Sequence, residues 1–136
     1  MSDAFPVTIY HNPACGTSRN ALAMIGAAGY LPQIVPYMEA GWTRPLLERL
    51  LLDMDASPRD VLREKGTPAA ELGLLQQTTS DEDILAAMVE HPVLVNRPIV
   101  VTPKGTKLCR PSEVVLTLLE RLPDQFTKED GEIVRL

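Results

Sequence analysis

Apolar positions recur along the chain with two periods, and the changes of period mark the elements. Val7-Thr8-Ile9-Tyr10 alternates and is β-branched, which predicts a short strand ending at the turn-forming His11-Asn12-Pro13. From Gly16 the spacing becomes helical, with Ala21, Leu22 and Ile25 on one face and Gly29 placed to stop the helix. Gln33-Ile34-Val35-Pro36-Tyr37 predicts a second strand, and Pro36, which has no N–H to give to a ladder, places it at a sheet edge. Thr43 can cap a helix with an apolar stripe of Leu46, Leu47, Leu50, Leu51 and Met54. Ser57-Pro58-Arg59-Asp60 offers an N-cap serine, a first-turn proline and an acid at the third position, so a short helix is expected there with Arg59 and Arg63 on one face. Ser80 and Asp83 repeat the capping pattern ahead of Ile84, Leu85, Met88 and Val89, and Pro92 ends that helix. Ile99-Val100-Val101 and Lys107-Leu108-Cys109 predict a hairpin turning through Pro103-Lys104-Gly105-Thr106. A last amphipathic helix is expected from about Pro111-Ser112-Glu113, burying Val114, Val115, Leu118 and Leu119. The tail from Pro123 is polar, and no element is predicted for it.

In order this is βαβ, a helical stretch, then ββα. An α/β fold follows, with a mixed sheet in the connectivity of a thioredoxin or glutaredoxin domain. The 136 residues suffice for one domain with its own core. The expected organisation is therefore a single domain over 1–136 with a helical insertion at about 43–91. A formal charge of −5 argues against nucleic-acid binding, so any anion site must be local. No apolar run approaches the ~20 residues that span a bilayer, and Met1–Tyr10 lacks the basic and apolar regions of a signal peptide. No membrane segment or export is expected, which points to the cytoplasm. The chain's two cysteines, Cys15 and Cys109, are too few for a disulfide scaffold.

The chemistry concentrates in His11-Asn12-Pro13-Ala14-Cys15-Gly16-Thr17-Ser18-Arg19, where a strand end and a proline turn deliver a cysteine to a helix start. Free N–H groups and the helix dipole there stabilise an anion, favouring a thiolate nucleophile at Cys15 and an oxyanion beside it. Ser18 stands where a redox dithiol would carry its second cysteine, so an external thiol must resolve whatever Cys15 forms. His11 could serve Cys15 as an imidazolium, accept its proton, or simply be a solvated histidine at a strand end. Arg59, Arg63, Arg97 and Arg110, taken singly, are ordinary surface charges. Arg97 and Arg110, however, lie at strand ends of the core sheet, and planar guanidinium groups suit bidentate contact with tetrahedral oxyanions. Pro98 opens the third strand, where thioredoxin-like folds place a cis-proline beside the reactive cysteine, so a cis Arg97-Pro98 bond is expected. Cys109, among apolar neighbours, is expected to pack as a small hydrophobe, His91 to cap a helix and Trp42 to anchor packing. No metal-ligand spacing, dinucleotide or nucleotide loop, or serine elbow occurs, so no bound cofactor or metal is expected.

At these residues the chain resembles the glutaredoxin-linked arsenate reductases of the ArsC type. The resemblance runs through Ile9–Asn20, Val61-Leu62-Arg63, Glu71-Leu72-Gly73-Leu74, His91-Pro92, Asn96–Pro103 and Leu108–Glu113, and is weakest after Phe126. It implies that Cys15 is catalytic, that His11 and Ser18 help set its thiolate, and that Arg63, Arg97 and Arg110 bind the arsenic oxyanion. It also implies arsenate as substrate, glutathione as co-substrate and glutaredoxin as the protein that resolves the adduct. Two other readings share the fold. A general glutathione-dependent thiol reductase would not need the three arginines, and an Spx-like regulator that binds RNA polymerase would carry a nearby cysteine pair where this chain has Ser18.

Overall fold

The structure, a computed structural model, describes residues 5–135. These divide into two compact units: the chain up to Pro36 together with everything from Arg97 onward, and the intervening Tyr37–Asn96.

The first unit is built on a four-stranded sheet of order β2-β1-β3-β4, with β1 at Thr8–Tyr10, β2 at Gln33–Val35, β3 at Ile99–Thr102 and β4 at Gly105–Leu108. β1 pairs in parallel with β2 and antiparallel with β3, which pairs antiparallel with β4, so the sheet is mixed as expected. β2 lies at an edge and ends just before Pro36, as the missing proline N–H requires. The parallel β1–β2 pair needs a crossover, and α1 (Gly16–Ala27) supplies it. α1 buries Ala21, Met24 and Ile25, while Gly29 takes φ +94° and its N–H closes onto the Gly26 carbonyl. Ile9, Met24, Ile25, Val100, Cys109, Val115 and Leu118 share one core cluster.

Three expectations in this unit are corrected. The β3–β4 turn is tighter than the sequence pattern suggests, because Thr102 already pairs with Gly105 and only Pro103 and Lys104 form the loop. The Thr102 hydroxyl accepts from the Lys104 N–H at 3.1 Å, which favours that tight turn. The last helix, Ser112–Leu118, is a 3₁₀ helix. Its period of three puts Ser112, Val115 and Leu118 on one buried line, with Leu116 and Leu119 on the next, and leaves Val114 only partly buried. The tail is not structureless. β5 (Gln125–Thr127) and β6 (Ile133–Arg135) form an antiparallel hairpin in which Phe126 faces Val134, and both pack on the core cluster.

The second unit contains α2 (Tyr37–Ala40), α3 (Arg44–Met54) and α4 (Asp81–Glu90), with 3₁₀ turns at Pro58–Val61 and Pro92–Leu94. The expected caps are made: the Thr43 side chain accepts from Leu46 N–H and Ser80 from Asp83 N–H, while Ser57 and Asp60 form a reciprocal capping box. Trp42 is buried, stacks on Tyr37 at 5.1 Å between ring centroids, and donates its indole N–H to the Pro92 carbonyl. His91 is the residue at which α4 stops.

Arg59 and Arg63 do not share a helical face. The 3₁₀ turn ends at Val61, Leu62 is extended and bridges to Val95, and the Arg63 N–H bonds to the Leu94 carbonyl. Arg59 instead donates to the carbonyls of Leu74, Gln76 and Thr79 at 3.2, 3.1 and 2.8 Å, pinning a loop that has no ladder of its own. Charge-assisted bonds to backbone carbonyls are worth more than an exposed ion pair. Arg59→Ala is therefore expected to lower stability by about 1–2 kcal/mol, read as a lower urea midpoint. An unchanged midpoint would mean that water satisfies those carbonyls equally well.

Candidate active site

Cys15 is the N-cap of α1, held in extended backbone geometry at φ −104°, ψ 122°. A chain of local bonds places it there. Asn12, just before Pro13, folds its side chain back so that Oδ1 accepts the Ala14 N–H at 2.9 Å, and its carbonyl accepts the Cys15 N–H at 3.0 Å. The Asn12 N–H in turn donates to Ser18 Oγ at 3.1 Å. Asn12 was visible in the sequence only as a turn former. An asparagine ahead of a proline is the signal for this kind of side-chain turn, and its role here is to aim the cysteine.

The Cys15 residue is only 6% exposed, so its thiolate has to be stabilised from inside the protein. Burial alone pushes the thiol up. The backbone N–H of Ser18, the charge of Arg97, the Arg110 guanidinium and the backbone N–H of Thr17 outweigh it, and the thiol ends below its ordinary value. Arg110 Nη1 approaches Cys15 Sγ at 3.8 Å and donates to the Arg97 carbonyl at 3.0 Å, which holds the guanidinium over the sulfur. Both arginines reach the site from the ends of the β3–β4 hairpin: Arg97 precedes β3, Arg110 follows β4, and the Arg97-Pro98 bond is cis as expected. The Arg110-Pro111 bond is cis as well.

Ser18 is fully buried in the first turn of α1. Its backbone N–H acts on the sulfur, while its hydroxyl lies 2.7 Å from His11 Nδ1. His11 is itself buried at the end of β1, with its N–H bonded to the Val35 carbonyl. Burial first, and the positive Arg19 second, push the His11 imidazole pKa down, which disfavours the charged ring. Of the alternatives left open by the sequence, the imidazolium and the solvated histidine both lose support. A neutral ring in contact with the Ser18 hydroxyl takes their place.

Cys15, His11, Ser18, Arg97 and Arg110 thus meet within the first unit. Arg63 belongs to the second, where its Nε donates to the Lys65 carbonyl at 3.1 Å. Cys109 is fully buried in the core cluster and burial pushes its thiol up to about 12, so it packs as a hydrophobe.

The sequence model of the ArsC family matches residues 10–118, which includes Cys15, Arg63, Arg97 and Arg110. The arsenate reductase ArsI2 of Synechocystis is 60% identical over 129 residues, covering 94% of this chain and 92% of the relative. An arsenate reductase of Escherichia coli K12 is 54% identical over 132 residues, covering 94% and 92%. Among solved structures, an arsenate reductase from Vibrio cholerae superposes with a TM-score of 0.81 at 39% identity, covering 86% of this chain and all of that one. A cysteine with a depressed thiol pKa at a helix start, beside the charge of Arg97 and the Arg110 guanidinium, together with matches over nearly the whole chain, places this protein in the ArsC family.

Proposed function

We infer that this protein reduces arsenate to arsenite, with Cys15 as the nucleophile. The observation that carries the reading is the pairing of a depressed Cys15 thiol with the Arg97 charge and the Arg110 guanidinium at the same sulfur. A thiolate alone repels an oxyanion. Two guanidinium groups beside it stabilise both the thiolate and the incoming charge, the electrostatic share of such catalysis. Identity of 52–60% to several arsenate reductases supports arsenate as the oxyanion.

In the proposed sequence the thiolate attacks arsenic(V), forming a sulfur–arsenic bond as an oxygen leaves as water or hydroxide. A glutathione thiol then displaces a second oxygen. A glutaredoxin thiolate attacks the glutathione sulfur, forming a mixed disulfide with glutathione while the electron pair of the broken sulfur–arsenic bond reduces arsenic to the trivalent state. Hydrolysis releases arsenite and restores Cys15. Ser18 in place of a second cysteine supports external thiols as the reductants, and the cytoplasm is the compartment that supplies them. Among the described residues no helix is long and apolar enough to cross a membrane. Arg63 is proposed as the third oxyanion-binding arginine, and the neutral His11 as the partner that orients Ser18.

In a coupled assay with glutathione, glutathione reductase and glutaredoxin, arsenate-dependent NADPH oxidation should disappear in Cys15→Ser and when glutaredoxin is omitted. Turnover by Cys15→Ser would remove the nucleophile, and absent turnover by the native chain would remove arsenate. Arg63→Ala should lower kcat/KM for arsenate by at least tenfold, about 1.4 kcal/mol, with little change in thermal midpoint. Unaltered kinetics would exclude Arg63 from the site. Cys15 reactivity should also show its depressed thiol directly. Thiolate fraction rises with pH, so alkylation by iodoacetamide should reach half its maximal rate at a pH below that of an ordinary thiol. Arg110→Gln, which removes a stabilising donor, should move that midpoint upward.

A further inference from the structure

The C-terminal hairpin lies beyond residues 10–118, the span shared with the family model, yet its turn touches the helix that Cys15 caps and the 3₁₀ helix that follows Arg110. On one side Glu129 receives a bidentate pair of bonds from Arg19, Nε to Oε2 at 2.8 Å and Nη2 to Oε1 at 2.9 Å, and the Glu129 N–H donates to Asn20 Oδ1 at 3.1 Å. Arg19 and Asn20 stand in the second turn of the helix that Cys15 caps. The third donor of Arg19, Nη1, reaches back to the Pro13 carbonyl at 2.7 Å, inside the loop that aims Cys15. The pair also covers Gly16: a Cβ there would lie 3.7 Å from Arg19 Nη2 and 3.8 Å from Glu129 Oε1. On the other side Lys128 pairs with Glu113 at 2.7 Å, in the first turn of the 3₁₀ helix that begins two residues after Arg110. The turn itself is closed by Lys128 N–H to the Glu132 carbonyl, Gly131 N–H to the Lys128 carbonyl, and a Lys128–Glu132 ion pair at 3.2 Å.

We propose that the β5–β6 hairpin is a brace for the active site, with Lys128 and Glu129 as positioning residues that keep the Cys15 loop and Arg110 in register. The Arg19–Glu129 pair is exposed and such pairs contribute little to global stability, about 0–1 kcal/mol each, while the Lys128–Glu113 pair is partly buried. Their value lies in geometry, because a displacement of about 1 Å between a nucleophile and the group that stabilises it can cost on the order of a hundredfold in rate. The 3.8 Å contact between Arg110 and Cys15 is what such a brace would protect. Phe126 and Val134, packed on the core, anchor the hairpin from below.

The test uses two charge-neutral double variants of the full chain, Arg19→Met/Glu129→Gln and Lys128→Met/Glu113→Gln, each removing one positive and one negative charge. Two readouts are taken: arsenate kcat/KM in the coupled assay, which rests on the proposed function, and the pH midpoint of Cys15 alkylation by iodoacetamide, which does not. Each variant is expected to raise the alkylation midpoint and to lower kcat/KM by about tenfold, with a urea midpoint close to that of the native chain. In an Arg110→Gln background the same changes should shrink to less than twofold, because the contact they protect is already gone. Unmoved alkylation midpoints overturn the brace, as does an equal effect in the Arg110→Gln background. If the native chain fails to turn over arsenate while the alkylation midpoints shift as expected, the substrate reading fails and the brace stands.

Discussion

Lowering the pKa of a thiol that the fold buries is the constraint on which the rest of this site depends. Cys15 is buried, and burial by itself favours the neutral thiol. The fold reverses that preference with backbone dipoles and guanidinium groups, and each of these must arrive from a different part of the chain. The Ser18 and Thr17 N–H groups come with the start of α1, while Arg97 and Arg110 come from the two ends of a hairpin about eighty residues further on. The mixed sheet makes the meeting possible. β1 delivers the cysteine loop at its C-terminal end, and the antiparallel neighbour β3 begins beside that end, with Tyr10 paired to Ile99. β4 then returns to Leu108 opposite Ile99, so Arg97 and Arg110 are brought together by register alone.

The same constraint explains why polar residues are buried here. His11, Asn12 and Ser18 are each less than a tenth exposed, and burying three polar side chains is costly unless they satisfy one another. They do so in a closed circuit: Asn12 N–H to Ser18 Oγ, Ser18 Oγ to His11 Nδ1, and the Asn12 side chain and carbonyl to the loop that holds Cys15. A charged imidazole in that circuit would be buried and repelled by the positive Arg19. A neutral ring relieves this repulsion and leaves the positive charge of the site to the guanidinium groups.

Much of this was legible in the sequence because it depends on local rules. The strand periods, the caps at Thr43, Ser57 and Ser80, the edge position of β2 and the placement of Cys15 at a helix start each follow from a few neighbouring residues. What escaped depends on longer reach or on competing periods. Val114 to Leu119 fits a helical stripe and a three-residue repeat almost equally well, and core packing chooses the tighter helix. Arg59 and Arg63 look like helical neighbours until Leu62 pairs with Val95, a partner more than thirty residues away. The C-terminal hairpin did have a local signal, Asp130-Gly131 between runs holding Phe126 and Val134, but the polar character of the surrounding segment left it without a predicted element.

That charge is where local and distant effects join. Lys128, Glu129 and Glu132 look in sequence like a polar terminus that keeps a chain soluble. In the fold two of them face opposite charges on other elements, Glu129 on Arg19 and Lys128 on Glu113, while Glu132 closes the turn. The exposed Arg19–Glu129 pair adds little to the free energy of folding, and the Lys128–Glu113 pair is only partly shielded from water. A site that works by balancing burial against a few directed charges is sensitive to something else, the distance between those charges and the sulfur. Coulomb energy in a partly buried site falls steeply over the first few ångströms, so contacts too weak to hold the fold together can still decide how well it holds an anion.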